Sequence, residues 1–253
     1  MDKLISILSI SILFINCNSQ DFQYAQNTTP PDHSGFTQIL QKYVDDDYLV
    51  DYEGMLNDRT RLDSYLNELS NNAPSKDWSR EEQLAYWINA YNGFTLKLIL
   101  DNYPVESIKD LHPTVNIPLL NTVWHKKFFK INGIDFNLDE IEHGILRKKF
   151  DEPRIHFAIN CASYSCPPLR NEAYVASRIN EQLDEQARKF INDPKKNKIT
   201  TDKIKISKIF KWFTGDFKAN GSLIEYLNKY SETTIKESAD INYMEYDWSL
   251  NEQ

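Results

Sequence analysis

The segment Leu84–Leu100, LAYWINAYNGFTLKLIL, constrains the fold more than any other part of this chain. Its apolar residues cover more than one face of a helix, and a helix that is apolar nearly all round has to be buried. The start is marked by Ser79 with Glu82 three residues on, the pattern of a capping box. Pro104 stops the helix near Tyr103. Asn89 and Asn92 then fall inside or at the edge of a core. There they must hydrogen-bond to backbone or to each other, or face a wet cleft.

The spacing around this helix predicts the elements that cover it. A helix is expected over Phe36–Val44, a short strand at Tyr48–Tyr52 and a helix over Tyr52–Leu69, with Leu56, Leu62, Tyr65, Leu66 and Leu69 on one side. Asn132-Gly133 between alternating runs marks a hairpin in KFFKINGIDFNL. Asp139 and Glu142 then read as the cap of a short helix reaching Lys148. Arg154–Asn160 alternates as a strand would, with Ile155, Phe157 and Ile159 facing one way. Glu172–Ile191 has amphipathic helical spacing. Ile199–Thr201 and Ile204–Ile206 form a second expected hairpin, short helices follow at Ile209–Phe213 and Leu223–Tyr230, and a last strand lies near Tyr243–Tyr246. Helices and hairpins alternate without βαβ periodicity, so the expected class is α+β, a mainly helical single domain with small antiparallel hairpins.

Residues 1–16, MDKLISILSISILFIN, carry an apolar run from Leu4 to Ile15. About a dozen apolar residues are too few to span a bilayer and suit a signal peptide. Cys17 follows at once, then a polar stretch. This order resembles a lipoprotein signal. The expected organisation is a signal peptide over 1–16, a lipid-anchored tether over 17–34 attached through Cys17, and a globular domain over 35–253. With no Asp after Cys17, the default address is the cell envelope, on an outer membrane, and the expected partner is the membrane that holds the lipid. Asn16, where a smaller residue is typical, departs from the pattern; ordinary secretion is the alternative. The formal net charge of −8 argues against nucleic acid as a partner, because neutralising phosphates needs a basic face.

Chemistry concentrates in Arg154–Arg170, where two of the three cysteines, Cys161 and Cys166, share a loop rich in small residues. A loop of this kind is where function is usually carried. In one reading the two close a structural disulfide in an oxidising compartment. In another, Cys161 is a nucleophile with His143 as its base, Glu142 as the orienter of His143, and His156 in reserve. A zinc site of His143, His156, Cys161 and Cys166 is the third, although no CxxC or HxxxH spacing supports it. No cofactor motif is present.

The stretches LAYWINAYNGFTLKLIL, YPVESIKD, LDEIEHGILR, DEPRIHFAINCASYSCPPL and SKIFKWFTGDF, in this order, resemble the DUF547 family, a domain of unknown function. The resemblance covers about Tyr48 to Trp248. It implies one domain and makes the Cys loop and the Glu-His helix hallmark segments, so that Cys161, Glu142 and His143 are expected to share a site. The resulting expectation is an envelope lipoprotein acting as a thiol-dependent hydrolase or transferase on an amide or ester. The alternative is a non-catalytic binding or scaffold protein stiffened by a Cys161–Cys166 bridge.

Overall fold

The computed structural model describes residues 22–114 and 121–253; the expected signal peptide and Cys17 lie outside the described residues. Helices α1 (Ser34–Tyr43), α2 (Tyr52–Asn57), α3 (Thr60–Asn71) and α4 (Arg80–Leu100) come first. The one helix expected over Tyr52–Leu69 is thus two. They part at Asp58, whose carboxylate accepts from Lys42 Nζ (3.0 Å) and from Tyr43 OH (2.9 Å), so that the junction is tied to α1. Helix α4 carries the expected capping box and runs through the core, with every residue from Leu84 to Leu100 buried except Lys97.

Strands β1 (Phe129–Ile131) and β2 (Ile134–Phe136) pair antiparallel across Asn132-Gly133. Both turn residues have positive φ, 52° and 75°, as a tight hairpin turn demands. A π-helical stretch, Glu140–Leu146, then continues into α5 (Arg147–Phe150). The strand expected at Arg154–Asn160 is instead a single turn of helix, α6 (Ile155–Ala158). All four of its residues are buried, and over a fully buried run this short an apolar alternation does not separate strand from helix. Helix α7 (Ile179–Asn192) begins later than Glu172 because the backbone before it is engaged by side chains: Asn89 pairs with Tyr174, and Gln182 Oε1 accepts from Val175 N.

The second hairpin, β3 (Lys198–Ile199) and β4 (Lys203–Ile206), forms as expected. Helices α8 (Ile209–Trp212), α9 (Thr214–Phe217) and α10 (Leu223–Asn228) then carry the chain to β5 (Asp240–Tyr243), which pairs with β4 in parallel. The sheet is therefore mixed, not purely antiparallel. The reason lies in the connection, since a helical crossover returns the chain in its original direction. Within this α+β domain the buried side chains form two clusters, one around α4 and one around Phe190, Phe210, Phe217 and Leu227. Helix α6 joins them: Ile155 and Ala158 belong to the first cluster and Phe157 to the second.

The described part of the expected tether is packed on the domain. Phe22 meets Trp87 edge-on at 4.9 Å, Trp78 Nε1 donates to Thr28 O, and buried His33 bonds Tyr65 OH at 2.7 Å. Aromatic residues set in a polar stretch supply the anchoring area that a free tether lacks. Among the described residues, no helix is long and apolar enough to cross a membrane.

Candidate functional site

The two buried asparagines of α4 clamp the loops that build the site. Asn89 Nδ2 donates to Tyr174 O (2.8 Å) and its Oδ1 accepts from Tyr174 N (2.9 Å). One turn on, Asn92 Nδ2 donates to Ala158 O (2.9 Å) and its Oδ1 accepts from Asn160 N (2.8 Å). A side-chain amide offers the same donor and acceptor as a peptide, so each asparagine stands in for a neighbouring strand. Asn160 extends the scaffold: its Oδ1 accepts from Ala162 N and its Nδ2 donates to Pro167 O, each at 2.8 Å. Ala162 is fully buried with φ of 55°, a left-handed conformation that a residue with a Cβ rarely adopts. Strain of this kind collects at functional turns. Cys161 sits at this turn, on the wall of a cavity of about 450 Å³.

Cys161, Glu142 and His143, the residues expected from the sequence, all line that cavity, and His156 lines it with them. The Cys161 sulfur lies 3.0 Å from Cys166 Sγ, 3.1 Å from Ser163 Oγ and 3.4 Å from Tyr246 OH. Both thiols are free; Cys166 is buried and Cys161 partly open. The hydrogen bond with the Cys166 thiol, helped by Ser163 and Tyr246 and opposed by burial, brings Cys161 down to about 7. Burial pushes Cys166 up. Of the pair, Cys161 is the one that ionises first. Neither imidazole is among its hydrogen-bond partners.

Glu142 is not a helix cap. That role belongs two residues earlier, where Asn137 Oδ1 accepts from Glu140 N and Glu140 Oε2 accepts from Asn137 N. The extra residue of the π-helical stretch accompanies the shift, and such bulges recur at functional sites. Glu142 is left facing inward, with Tyr91 OH 3.4 Å from its Oε2 and His156 Nδ1 4.0 Å from its Oε1. Burial, with the neighbouring Cys161 charge, pushes its carboxyl up to about 8. A carboxyl raised in the folded state above its ordinary 4.5 holds a proton that the unfolded chain gives up. Its contribution to stability is therefore complete below about pH 4.5 and is lost as pH rises through about 8. Denaturant melts at pH 5 and pH 9 should show Glu142→Gln relieving part of the alkaline loss. An unchanged pH slope in the variant would place that carboxyl in water.

The two histidines are held differently. His143 is half exposed; its Nδ1 takes a hydrogen bond from Arg147 at 2.8 Å and its Nε2 stands 3.6 Å from Asp139. A guanidinium only donates, so His143 is neutral there, and burial together with Arg147 lowers its basicity. Glu142 does not orient it. His156 is buried, stacked on Phe213 at 3.8 Å between ring centres, with Nε2 2.7 Å from Asp216 Oδ2. Asp216 in turn receives Arg147 through two hydrogen bonds of 2.6 and 2.7 Å. Partial burial works against the ionised Asp216, but Arg147 and His156 hold it well below the usual carboxylate range. His156 Nδ1 is buried without a hydrogen-bond partner. Sequence reasoning missed Asp216, although it falls in the SKIFKWFTGDF stretch. Among the described residues, no cluster of three or more His, Cys, Asp or Glu is placed to hold a metal ion.

Residues 75–191 match the family model for DUF547, described as a protein of unknown function. That segment contains α4, the π-helical stretch, α6 and the Cys loop, and it ends before Asp216 and Tyr246. No curated protein and no solved structure matches the chain.

Proposed function

For this chain, whose residues 75–191 match the DUF547 family model, we propose a thiol-dependent acyl transfer, either hydrolysis or transfer of an amide or ester, at the Cys161 cavity. The observation that carries the reading is the shared cavity: a thiol ionising near neutrality and a histidine already oriented by a carboxylate line the same wall. The Cys161 thiolate would attack the carbonyl carbon, forming a C–S bond and sending the carbonyl electrons to oxygen. Collapse of that intermediate expels the amine or alcohol, which takes a proton from the site, and water or a second nucleophile then releases the acyl group. The expected base, His143, is occupied by Arg147, so the proton-carrying role passes to His156, with Asp216 as its orienter. Neutral Glu142 supplies a hydrogen-bond donor beside them.

The test is the thiol itself. A thiol at about 7 should be alkylated by iodoacetamide at pH 7 several-fold faster than a model thiol of ordinary pKa, the larger thiolate fraction outweighing its lower intrinsic nucleophilicity. Cys161→Ala should abolish the fast phase. A protein that labels only after reduction would instead favour the scaffold reading, for which the 3.0 Å approach of Cys161 and Cys166 speaks.

We further propose that the domain faces the periplasm or the cell surface, held at the outer membrane by lipid on Cys17. The support is the Leu4–Ile15 run that ends at Cys17. Intact mass spectrometry of the membrane-extracted protein should give a chain starting at Cys17 plus the acyl mass. A soluble mature chain starting beyond Cys17 would refute the anchor.

A further inference from the structure

Beyond the thiol the cavity changes character. Its outer wall is a continuous run of aromatic rings from three parts of the chain: Trp124 before β1, Trp212 and Phe213 at the end of α8, and Tyr246 and Trp248 near the C-terminus. Ring centres are separated by 5.7 Å (Trp124–Trp248), 4.5 Å (Tyr246–Trp248) and 4.8 Å (Trp212–Tyr246). Trp212 is 47% exposed although its neighbours on α8, Ile209 and Phe210, are buried. Rings this close, with one side unfilled in a concave wall, form a surface for a ligand and not the interior of a core.

Apart from the Cys161 thiolate, the charges at the inner end cancel. The Arg147 guanidinium is matched by Asp216 in two hydrogen bonds. Glu142 keeps its proton up to about 8, and both histidines are lowered by burial and remain neutral. Lys109 Nζ rests 5.1 Å from the centre of the Trp248 ring but is not part of the cavity wall. Nothing in the wall compensates a buried negative charge on a ligand, and an uncompensated charge is expelled from such a place.

We infer that this cavity binds the apolar acyl or aryl portion, free of negative charge, of a carbonyl substrate, seated against Trp124, Trp212, Tyr246 and Trp248 with its carbonyl toward Cys161. The direction of the carbonyl rests on the thiol reading above; the apolar seat does not.

The experiment separates the two. In the otherwise intact protein carrying Cys161→Ser, which removes the nucleophile and preserves shape, calorimetry would measure binding of acetamide, butanamide, hexanamide and octanamide. Affinity should rise by about fourfold per added methylene over the first members, the transfer value for a buried CH₂. Adipamate, which ends in a carboxylate, should bind at least tenfold more weakly than hexanamide. Trp212→Ala and Trp248→Ala in the same background should each flatten the series, with melting temperatures confirming that the fold is kept. Affinity independent of chain length, or a charged amide bound as well as its neutral counterpart, would overturn the assignment. These results do not depend on Cys161 being a nucleophile, which the alkylation rate decides by itself.

Discussion

Replacing His156 with alanine should lower kcat/KM for an apolar 4-nitroanilide by about 10²–10⁴, the usual worth of a positioned general acid–base group. His143→Ala should cost less than about tenfold by the same scale. The contrast follows from how each ring is held. His143 has its Nδ1 taken up by the Arg147 guanidinium, and being half exposed it can be replaced there by water. His156 is fixed by Asp216 and Phe213 and has one ring nitrogen buried without a partner, which suits the proton-carrying role proposed for it. The pH profile gives a second readout. The proposed reaction would need Cys161 ionised, so its rate should rise through about 7; it would need Glu142 protonated, so the rate should fall through about 8. The two groups interact, and the limbs of this narrow bell belong to the pair. Glu142→Gln should remove the alkaline limb and leave the acid one. Equal losses in the two histidine variants would return the base role to His143.

The features legible in the sequence were those written in local chemistry. The Ser79–Glu82 box and the Asn132-Gly133 turn lie within a few residues of what they specify, and both appear where expected. Helix α4 was legible because no exposed helix could carry that apolar surface. Elements decided by distant partners were less so. The apolar alternation at Ile155–Ile159 describes burial on all sides equally well as a helical turn, and only the packing between two clusters selects the turn. The parallel pairing of β5 with β4 depends on three intervening helices and leaves no mark in either strand.

The site divides the same way. Cys161 and the Glu142–His143 segment were visible as rare residue types in unusual loops, and they do line one cavity. Their partners were not. Asp216 reaches His156 from sixty residues away, and the aromatic wall comes from segments that show nothing but ordinary hydrophobicity. The capping role read for Glu142 failed because Asn137 and Glu140 offer the same chemistry two residues earlier, and a π-helical stretch follows. Asn89 and Asn92 were required to find partners, and the backbone supplies them; which loops they would hold could not be read from α4 alone.

Trp87→Ala should destabilise the domain by about 3–5 kcal/mol, the range for removing a large aromatic from a core that collapses only partly. Trp87 is 1% exposed in the middle of α4 and packs among three rings, one of them its own neighbour on the helix. Phe22 meets it edge-on at 4.9 Å, Tyr86 at 5.0 Å, and Phe136 of β2 lies at 6.0 Å. The cavity left behind would open between α4, the hairpin and the packed N-terminal segment, none of which can move in without losing other contacts. The same change should loosen the segment around Phe22, so limited proteolysis there should accelerate along with the fall in the denaturant midpoint. The effect should reach the chemistry as well. About one and a half turns of α4 separate Trp87 from Asn92, and the Asn92 clamp on Ala158 and Asn160 holds the loop that carries Cys161. Cys161 alkylation in the variant should therefore slow toward the rate of an ordinary thiol as the melting temperature is approached, earlier than in the parent protein. A midpoint change worth less than about 1 kcal/mol would mean that the aromatic cluster around Trp87 is not tightly packed, because cavity costs that small occur only where neighbours can close the gap.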